Sequence, residues 1–480
     1  MSSKPSLPAN RRAVLAIIMA SYLMILIDVS IVITGLPKIQ AGLGFGAAGL
    51  SWVQNAYTLA LGGLLLLGAR AGDILGRRRM LLLGLAIFTL ASLAIALAQT
   101  PAWLLAARAL QGAGSAILAP ATLALLSTHF AEGPERTRAL SLYAATAGIG
   151  ATLGLVLGGL FAELFSWRAG FLINLPIGAV LMLGARRYLH ETPRQGGRLD
   201  IAGAASSTLG MTALVYGLVR AAEQGWGDWL TLTTLAAGLL LLGAFLLLEA
   251  RVRQPILPLR LFASRERSGA YAARMLFLGG MVGFWFFTTQ FLQGVLGFTP
   301  LQAGLAFLPT TLPNFVSAML VPRLTPRLGG ARLLAIGLLA CLAGLAWLGQ
   351  VSAGTHYFSG IALPMLLIGL GQGVVLPPLT VFAVAGVSRD DAGAASGLVN
   401  VAHQLGGAIG LGVLVVVFAA AVPVQLAGAP LLAHRIAMVM DGSAVMLALA
   451  LLVTLLLILP AHARARAPQA DNAQLARTKP

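Results

Sequence analysis

Charge is scarce in this sequence, and negative charge is scarcer still: 10% of the 480 residues are charged, and 15 acidic side chains stand against 32 basic ones. A soluble globular domain carries about 25% charged residues, so a water-soluble enzyme of this length is excluded. Cysteine is almost absent. The lone Cys341 allows no disulfide within the chain and no cysteine-based metal site. No Gly-x-x-x-x-Gly-Lys-Ser/Thr stretch occurs, which argues against ATP as the energy source. Neither a cluster of metal ligands nor a nucleophile-base-acid set stands out, so no catalytic residue, metal or cofactor is expected, and a membrane-embedded enzyme or a channel is the disfavoured class.

What is present is apolar: 58% of the residues are hydrophobic and the mean hydropathy is +0.88. Hydrophobic runs of roughly 20 residues recur along the chain, each long enough to cross about 30 Å of hydrocarbon as a helix. They are continuous rather than alternating, which excludes a transmembrane barrel. Fourteen such runs between residues 13 and 460 predict an all-α integral membrane protein with both termini on one side. With the N-terminus inside, 26 Lys and Arg fall in cytoplasmic segments, four outside (Lys38, Arg168, Arg220, Arg435) and two within spans (Arg108, Arg274). The positive-inside rule then predicts cytoplasmic termini in a multi-pass protein of the cell inner (plasma) membrane. The net charge of +17 is thereby topological, and nucleic acid is excluded as a partner. Residues 1–12 are polar and basic, and no small-residue cleavage site follows, so the first run is expected to stay as helix 1.

At an offset of 253 the chain echoes itself: Arg70, Gly76, Arg79 and Gly84 align with Arg323, Gly329, Arg332 and Gly337, among eight identities in twenty positions. Gln111-Gly112 and Gln372-Gly373 pair at an offset of 261. Two six-helix halves in parallel repeat are the expectation, an architecture suited to alternating access. The expected segments are a cytoplasmic N-terminus (1–12), an N-terminal six-helix bundle (13–187), an inserted helix pair with cytoplasmic linkers (188–267), a C-terminal six-helix bundle (268–461) and a cytoplasmic tail (462–480). The copies differ in charge, since Asp73 becomes Pro326 and Arg108 becomes Gly369. GAGSA (112–116) and GLGQG (369–373) lie inside apolar runs, where small residues serve close helix packing rather than dinucleotide binding.

The segment GARAGDILGRRR (68–79), between helices 2 and 3, resembles the loop signature of the major facilitator superfamily. LIDVSIVITGLP (26–37), RALQGAGSA (108–116), WRAGFLINLPIG (167–178) and GAASGLVNVAHQLGGAIG (393–410) resemble the signatures of its fourteen-helix drug:proton antiporters. GATLGLVLGG (150–159) resembles the antiporter motif of helix 5, with Leu155 where that family has proline. The resemblance implies a major facilitator fold of two six-helix bundles plus two inserted helices, and a secondary active transporter rather than an enzyme. It further implies proton-coupled efflux of amphiphilic small molecules, driven by protons without a cofactor. Export of one metabolite or antibiotic and proton-coupled uptake share these motifs. A periplasmic adaptor is possible for this class and is not readable from the residues.

Asp28 and Arg108 each lie about 10 Å below the outer surface by helical rise. An ionisable group in a span is costly and functional by default. Asp28 is the expected proton carrier with Arg108 tuning it; a static ion pair is the alternative. His403 is a second candidate for proton coupling, a substrate contact, or a hydrogen bond across helices. Arg274 is expected to snorkel. At the cytoplasmic loop Gly72 and Gly76 are expected to turn the chain, and Asp73 with Arg77 and Arg78 to form a gating latch, or merely to orient the helices. Gly150, Gly154 and Gly158 form a helix-packing face. Gln54, Asn55, Tyr57, Gln290, Asn314, Gln372, Asn400 and Gln404 are candidate substrate contacts, each equally suited to interhelical bonding. Half of the run Phe284-Trp285-Phe286-Phe287 is expected to face lipid, and the scarcity of fixed charge suggests amphiphilic, often cationic cargo.

Overall fold

A computed structural model describes residues 9–460 apart from 131–133, 193, 195–199, 253–254, 256, 388–390 and 423–425. The expected tail (462–480), residues 1–8 of the N-terminal segment and parts of both cytoplasmic linkers lie outside the described residues. Every regular element among the described residues is helical. In chain order they are α1 (Ala9–Leu43), α2 (Trp52–Leu75), α3 (Arg77–Ala96), α4 (Pro101–His129) and α5 (Pro134–Leu164). They continue as α6 (Trp167–Tyr188), α7 (Ile201–Gln224), α8 (Trp229–Arg251), α9 (Arg265–Gly294) and α10 (Pro300–Leu328). The last four are α11 (Gly330–Leu348), α12 (Phe358–Ala383), α13 (Ala392–Ala420) and α14 (Gly428–Ile458). Thirteen are long and apolar enough to cross a membrane. The fourteenth is α5, whose apolar part is Ile149–Leu164, so the hydrophobic runs and the helices correspond one to one.

Two spans are interrupted by the same device. Pro176 has no N–H to donate to the Leu172 carbonyl four residues back, and α6 opens at Ile173. Pro309 stands in the same relation to Leu305, and α10 opens at Ala306 and Phe307. The first opening presents Asn174 at the head of a new helical segment.

The chain packs as two compact units, residues 1–248 with 288–308 and residues 249–287 with 309–480. In the first unit α1 to α4 and α6 share an apolar core built around Phe88, Leu118, Leu125 and Phe130. Along α5, added Cβ atoms would stand 2.9 Å from the Leu26 Cβ at Gly150, 2.5 Å from the Ser30 Cβ at Gly154 and 2.5 Å from the Thr34 Oγ1 at Gly158. These glycines let α5 lie directly on α1. The C-terminal end of α9 and the start of α10 join this unit: Gln293 donates to the Thr34 carbonyl (2.9 Å), and the Leu301 N–H donates to Glu163 (3.0 Å). Between α7 and α8, Arg220 donates to Asp228 (2.6 Å), which also caps α8 by accepting the Thr231 N–H (2.9 Å). The Arg220 hydrogen bond, followed by that of the Thr231 backbone, holds the Asp228 carboxyl down at about 2.

In the second unit α9 is buried on several sides. Gly279 meets Gly410 of α13, Gly280 meets Leu447 of α14, and Gly283 meets Leu414 of α13. Phe284, Phe286 and Phe287 are buried, and Phe287 stacks on Phe418 at 5.1 Å. The expectation that half of this aromatic run faces lipid is therefore overturned. Trp285 alone is partly exposed.

The internal repeat is visible inside each unit. Gly76 and Gly329 both have positive φ, +107° and +81°, a conformation that side chains with a Cβ disfavour. Gly84 brings α3 against Leu118 and Gly114 of α4, and Gly337 brings α11 against Val374 and Gly371 of α12. Gly72, by contrast, sits inside α2, and an added Cβ would meet only the Arg77 Cγ at 3.8 Å. The turn belongs to Gly76 alone, because only its φ is left-handed.

Candidate functional site

Arg108 enters the first unit from the eighth position of α4. Thr100 caps that helix by accepting the Trp103 N–H, and Pro101 begins it, so Arg108 lies about 10 Å along the axis. Asp28 comes from the middle of α1. Both side chains are 0% exposed, and Arg108 Nη1 donates to Asp28 Oδ2 at 2.9 Å.

The carboxylate has further donors. Gln111 Nε2, one turn after Arg108, and Asn174 Nδ2, at the opening of α6, each donate to Asp28 Oδ1 at 2.8 Å. Both amides also donate to Ser92 Oγ of α3, which itself donates to the Phe88 carbonyl. An acceptor with three converging donors matches an ionised carboxylate, which has lone pairs and no hydrogen to give. The guanidinium is held equally firmly: Nε donates to the Val53 carbonyl (3.0 Å), Nη1 also to Gln111 Oε1 (2.6 Å), and the group lies 4.4 Å over the Tyr57 ring. Tyr57 in turn donates to Ser115 at 2.9 Å. Arg108 Nη2 is buried without a partner. Five helices thus contribute to one buried ionic cluster in a span, where isolated charge is expensive.

Sequence reasoning named Asp28, Arg108 and Tyr57 but missed Gln111, Asn174 and Ser92. Gln111 and Asn174 stood in plain view within RALQGAGSA and WRAGFLINLPIG; Ser92 had no signal in the sequence.

The α2–α3 loop forms a second cluster. Arg77 donates to Asp73 (2.9 Å), to Thr128 (2.8 Å) and to the Ala124 carbonyl at the end of α4. Arg78 donates from its guanidinium to the Arg186 carbonyl of α6 at 2.7 Å. Glu191 accepts the backbone N–H groups of Arg78 and Arg79, a carboxylate at the N-terminus of α3 where the helix dipole favours it. All these partners belong to the first unit, so the loop is anchored to α4 and α6.

His403 of α13 lies in the second unit, and its Nδ1 faces Arg274 Nη2 at 3.3 Å. Since a guanidinium only donates, Nδ1 accepts and the ring hydrogen sits on Nε2. The bond that His403 makes is thus to Arg274, in a unit to which Asp28 and Arg108 do not belong. Arg274 does not snorkel: it is 7% exposed and also donates to Thr380 Oγ1 at 3.0 Å. Thr380 of α12 and His403 of α13 hold it inside the second unit.

The candidate substrate contacts divide. Asn55 and Tyr57 are fully enclosed in the first unit, which removes both from any open surface in this conformation; both amide atoms of Asn55 lack a partner. Gln290 is buried, and Gln54, Asn314, Gln372 and Gln404 are half-buried. Asn400 is exposed and donates to the Ser396 carbonyl of its own helix.

Comparison with known proteins gives this arrangement a family. The Major Facilitator Superfamily model matches residues 18–411. The cephamycin export protein of Amycolatopsis lactamdurans is 42% identical over 474 residues, covering 97% of this chain and 96% of that protein. The puromycin resistance protein of Streptomyces alboniger is 42% identical over 405 residues, covering 83% and 80%. Among solved structures, the nucleoside transporter NupG aligns with a TM-score of 0.65 at 14% identity, covering 94% of this chain and all of that one, a likeness of fold alone. With its helices, signature loop and matched span taken together, this chain is a multi-pass membrane transporter that belongs to the Major Facilitator Superfamily.

Proposed function

We propose that the protein exports amphiphilic small molecules across the cell inner membrane by alternating access, in exchange for protons carried on Asp28. The observation that supports this best is the buried Asp28–Arg108 pair. The names of the two relatives, an export protein and a resistance protein, support the outward direction. Protonation of Asp28 removes the charge on which Arg108, Gln111 and Asn174 converge, so α1, α4 and α6 lose a common tie. Deprotonation restores it. One proton moving down 100 mV supplies about 2.3 kcal/mol, enough for roughly a fifty-fold gradient of a neutral compound. No cofactor enters this cycle. The loop around Asp73, Arg77 and Arg78 acts as the cytoplasmic latch, and both termini face the cytoplasm, as the basic residues dictate.

The test uses Asp28→Asn, which keeps the shape of the side chain and cannot ionise. Reconstituted in proteoliposomes, the variant is expected to fold yet to lose uphill efflux driven by a pH gradient. Uphill transport at the wild-type rate refutes Asp28 as carrier. A second reading, export of a single antibiotic, is favoured by the relatives being named for one compound each. Resistance confined to one compound class on expression distinguishes it from broad efflux.

A further inference from the structure

The second unit buries a cation for which the described residues supply no counter-ion. Arg274 lies about 14 Å along α9 by helical rise, 7% exposed. Its partners among the described residues are Thr380 Oγ1 at 3.0 Å and His403 Nδ1 at 3.3 Å, both neutral acceptors. Its Nε is buried and bonded to nothing. Arg108 in the first unit shows the ordinary solution, a carboxylate at 2.9 Å. A guanidinium in a membrane span without an anion forfeits most of the compensation that makes burial tolerable.

The surroundings are polar and accessible in part. Thr380 and Asn400 are exposed, and His403 and Gln404 are half-buried. Asn400, His403 and Gln404 are spaced i, i+3 and i+4, so they share one face of α13, and His403 fixes that face beside the guanidinium.

We infer that Arg274 is the docking point for an anionic group, a carboxylate or similar oxyanion, on the compound the protein carries, with Asn400 and Gln404 supplying amide hydrogen bonds beside it. The inference rests on the export reading and narrows it: the preferred cargo is an anionic or zwitterionic amphiphile rather than a lipophilic cation. A planar guanidinium suits a carboxylate in a way that a single ammonium does not, and the free Nε–H supplies a donor for the incoming oxygen.

The test compares a rhodamine dye that carries a free carboxylate with the methyl ester of the same dye. Binding to the full-length protein is followed by fluorescence anisotropy in nanodiscs of phosphatidylcholine, with a second set containing phosphatidylglycerol. Wild type is expected to bind the carboxylate dye more tightly than the ester. Arg274→Gln is expected to weaken binding of the carboxylate dye about tenfold or more, the usual size of a charge-assisted hydrogen bond, and to leave the ester unchanged, which also reports an intact fold. Arg274→Lys is expected to keep part of the preference. Equal binding of the two dyes by wild type, or equal loss of both in Arg274→Gln, overturns the inference. So does a preference that changes only with phosphatidylglycerol, because the anion held is then a lipid headgroup. Efflux of the two dyes from proteoliposomes is scored separately: wild type that binds selectively but pumps neither dye sinks the export reading and leaves the anion site standing.

Discussion

Each of the two units buries an arginine, and the two are kept differently. Arg108 meets a carboxylate, an amide, a carbonyl and an aromatic face. Arg274 meets a hydroxyl and an imidazole. The internal repeat explains why the first arrangement is not copied. Gly112 lies against the Tyr57 carbonyl and Gly369 against the Thr310 carbonyl, while Gly114 lies against Phe88 and Gly371 against Cys341. Since Tyr57 and Phe88 align with Thr310 and Cys341 at the offset of 253, these contacts place Met365, not Gly369, at the position equivalent to Arg108. Met365 is fully buried, and its carbonyl accepts the Thr310 hydroxyl at 3.3 Å, so an uncharged side chain fills the place. The counterpart of Gln111 is then Ile368, apolar and fully buried. One packing plan is thus filled with ionic chemistry in the first unit and with apolar side chains in the second.

The sharpest way to break this comparison is to remove each cation in turn. Arg108→Ala strands Asp28 as a buried unpaired charge and is expected to cost about 3–5 kcal/mol, read as a large drop in the unfolding midpoint in detergent. Arg274→Gln strands only neutral partners and is expected to change stability by no more than about 1 kcal/mol, in either direction. Equal losses would show that Arg274 has a counter-charge after all. Next come the packing glycines. Gly154→Val, against α1, and Gly337→Val, against α12, are each expected to cost about 1–3 kcal/mol by overpacking, because the Ser30 Cβ and the Ile27 backbone stand in the way of the first, and the branched Val374 and Val375 side chains and the Gly371 carbonyl in the way of the second.

Smaller effects sharpen the repeat. Gly76→Ala and Gly329→Ala each force a Cβ into left-handed backbone at about 1–2 kcal/mol. Gly76→Ala is expected to be the worse of the two, since its Cβ would also stand 2.6 Å from the Glu191 carboxylate. The smallest effect belongs to the α7–α8 connection. Because the Asp228 carboxyl is held below its ordinary value of 3.8, at about 2, its contribution is complete above 3.8 and fades as the pH falls towards 2. Amide hydrogen exchange at residues 225–231 is expected to quicken only over that acid window, and Asp228→Asn to abolish the dependence.

Helices were legible in the sequence because length and hydropathy decide membrane spans almost alone. Charge placement was legible for Asp28 and Arg108, since equal depth follows from counting residues. The amides Gln111 and Asn174 were harder, because an amide in a span reads equally as interhelical glue, and only the opening of α6 at Ile173 brings Asn174 to the carboxylate. Arg274 was misread because its partners, Thr380 and His403, lie more than a hundred positions away in the chain. The aromatic run of α9 was misread for a related reason. A helix that is hydrophobic all round belongs in a core, and Gly279, Gly280 and Gly283 beside it were the signal that neighbours approach closely.

Leu155 stands where the antiporter motif that α5 resembles has proline, and the helix continues unbroken from Pro134 to Leu164. Arg11 grips Glu135 at 2.6 Å near the start of α1 and α5, and three glycines press the same two rods together further along. Asp28 is therefore mounted on a double strut whose α5 member has no internal proline, and the one proline inside α1, Pro37, lies more than two turns beyond the acid. A change in its ionisation has to express itself as a tilt or twist of the whole strut, transmitted over its length, rather than as a local crease beside the acid.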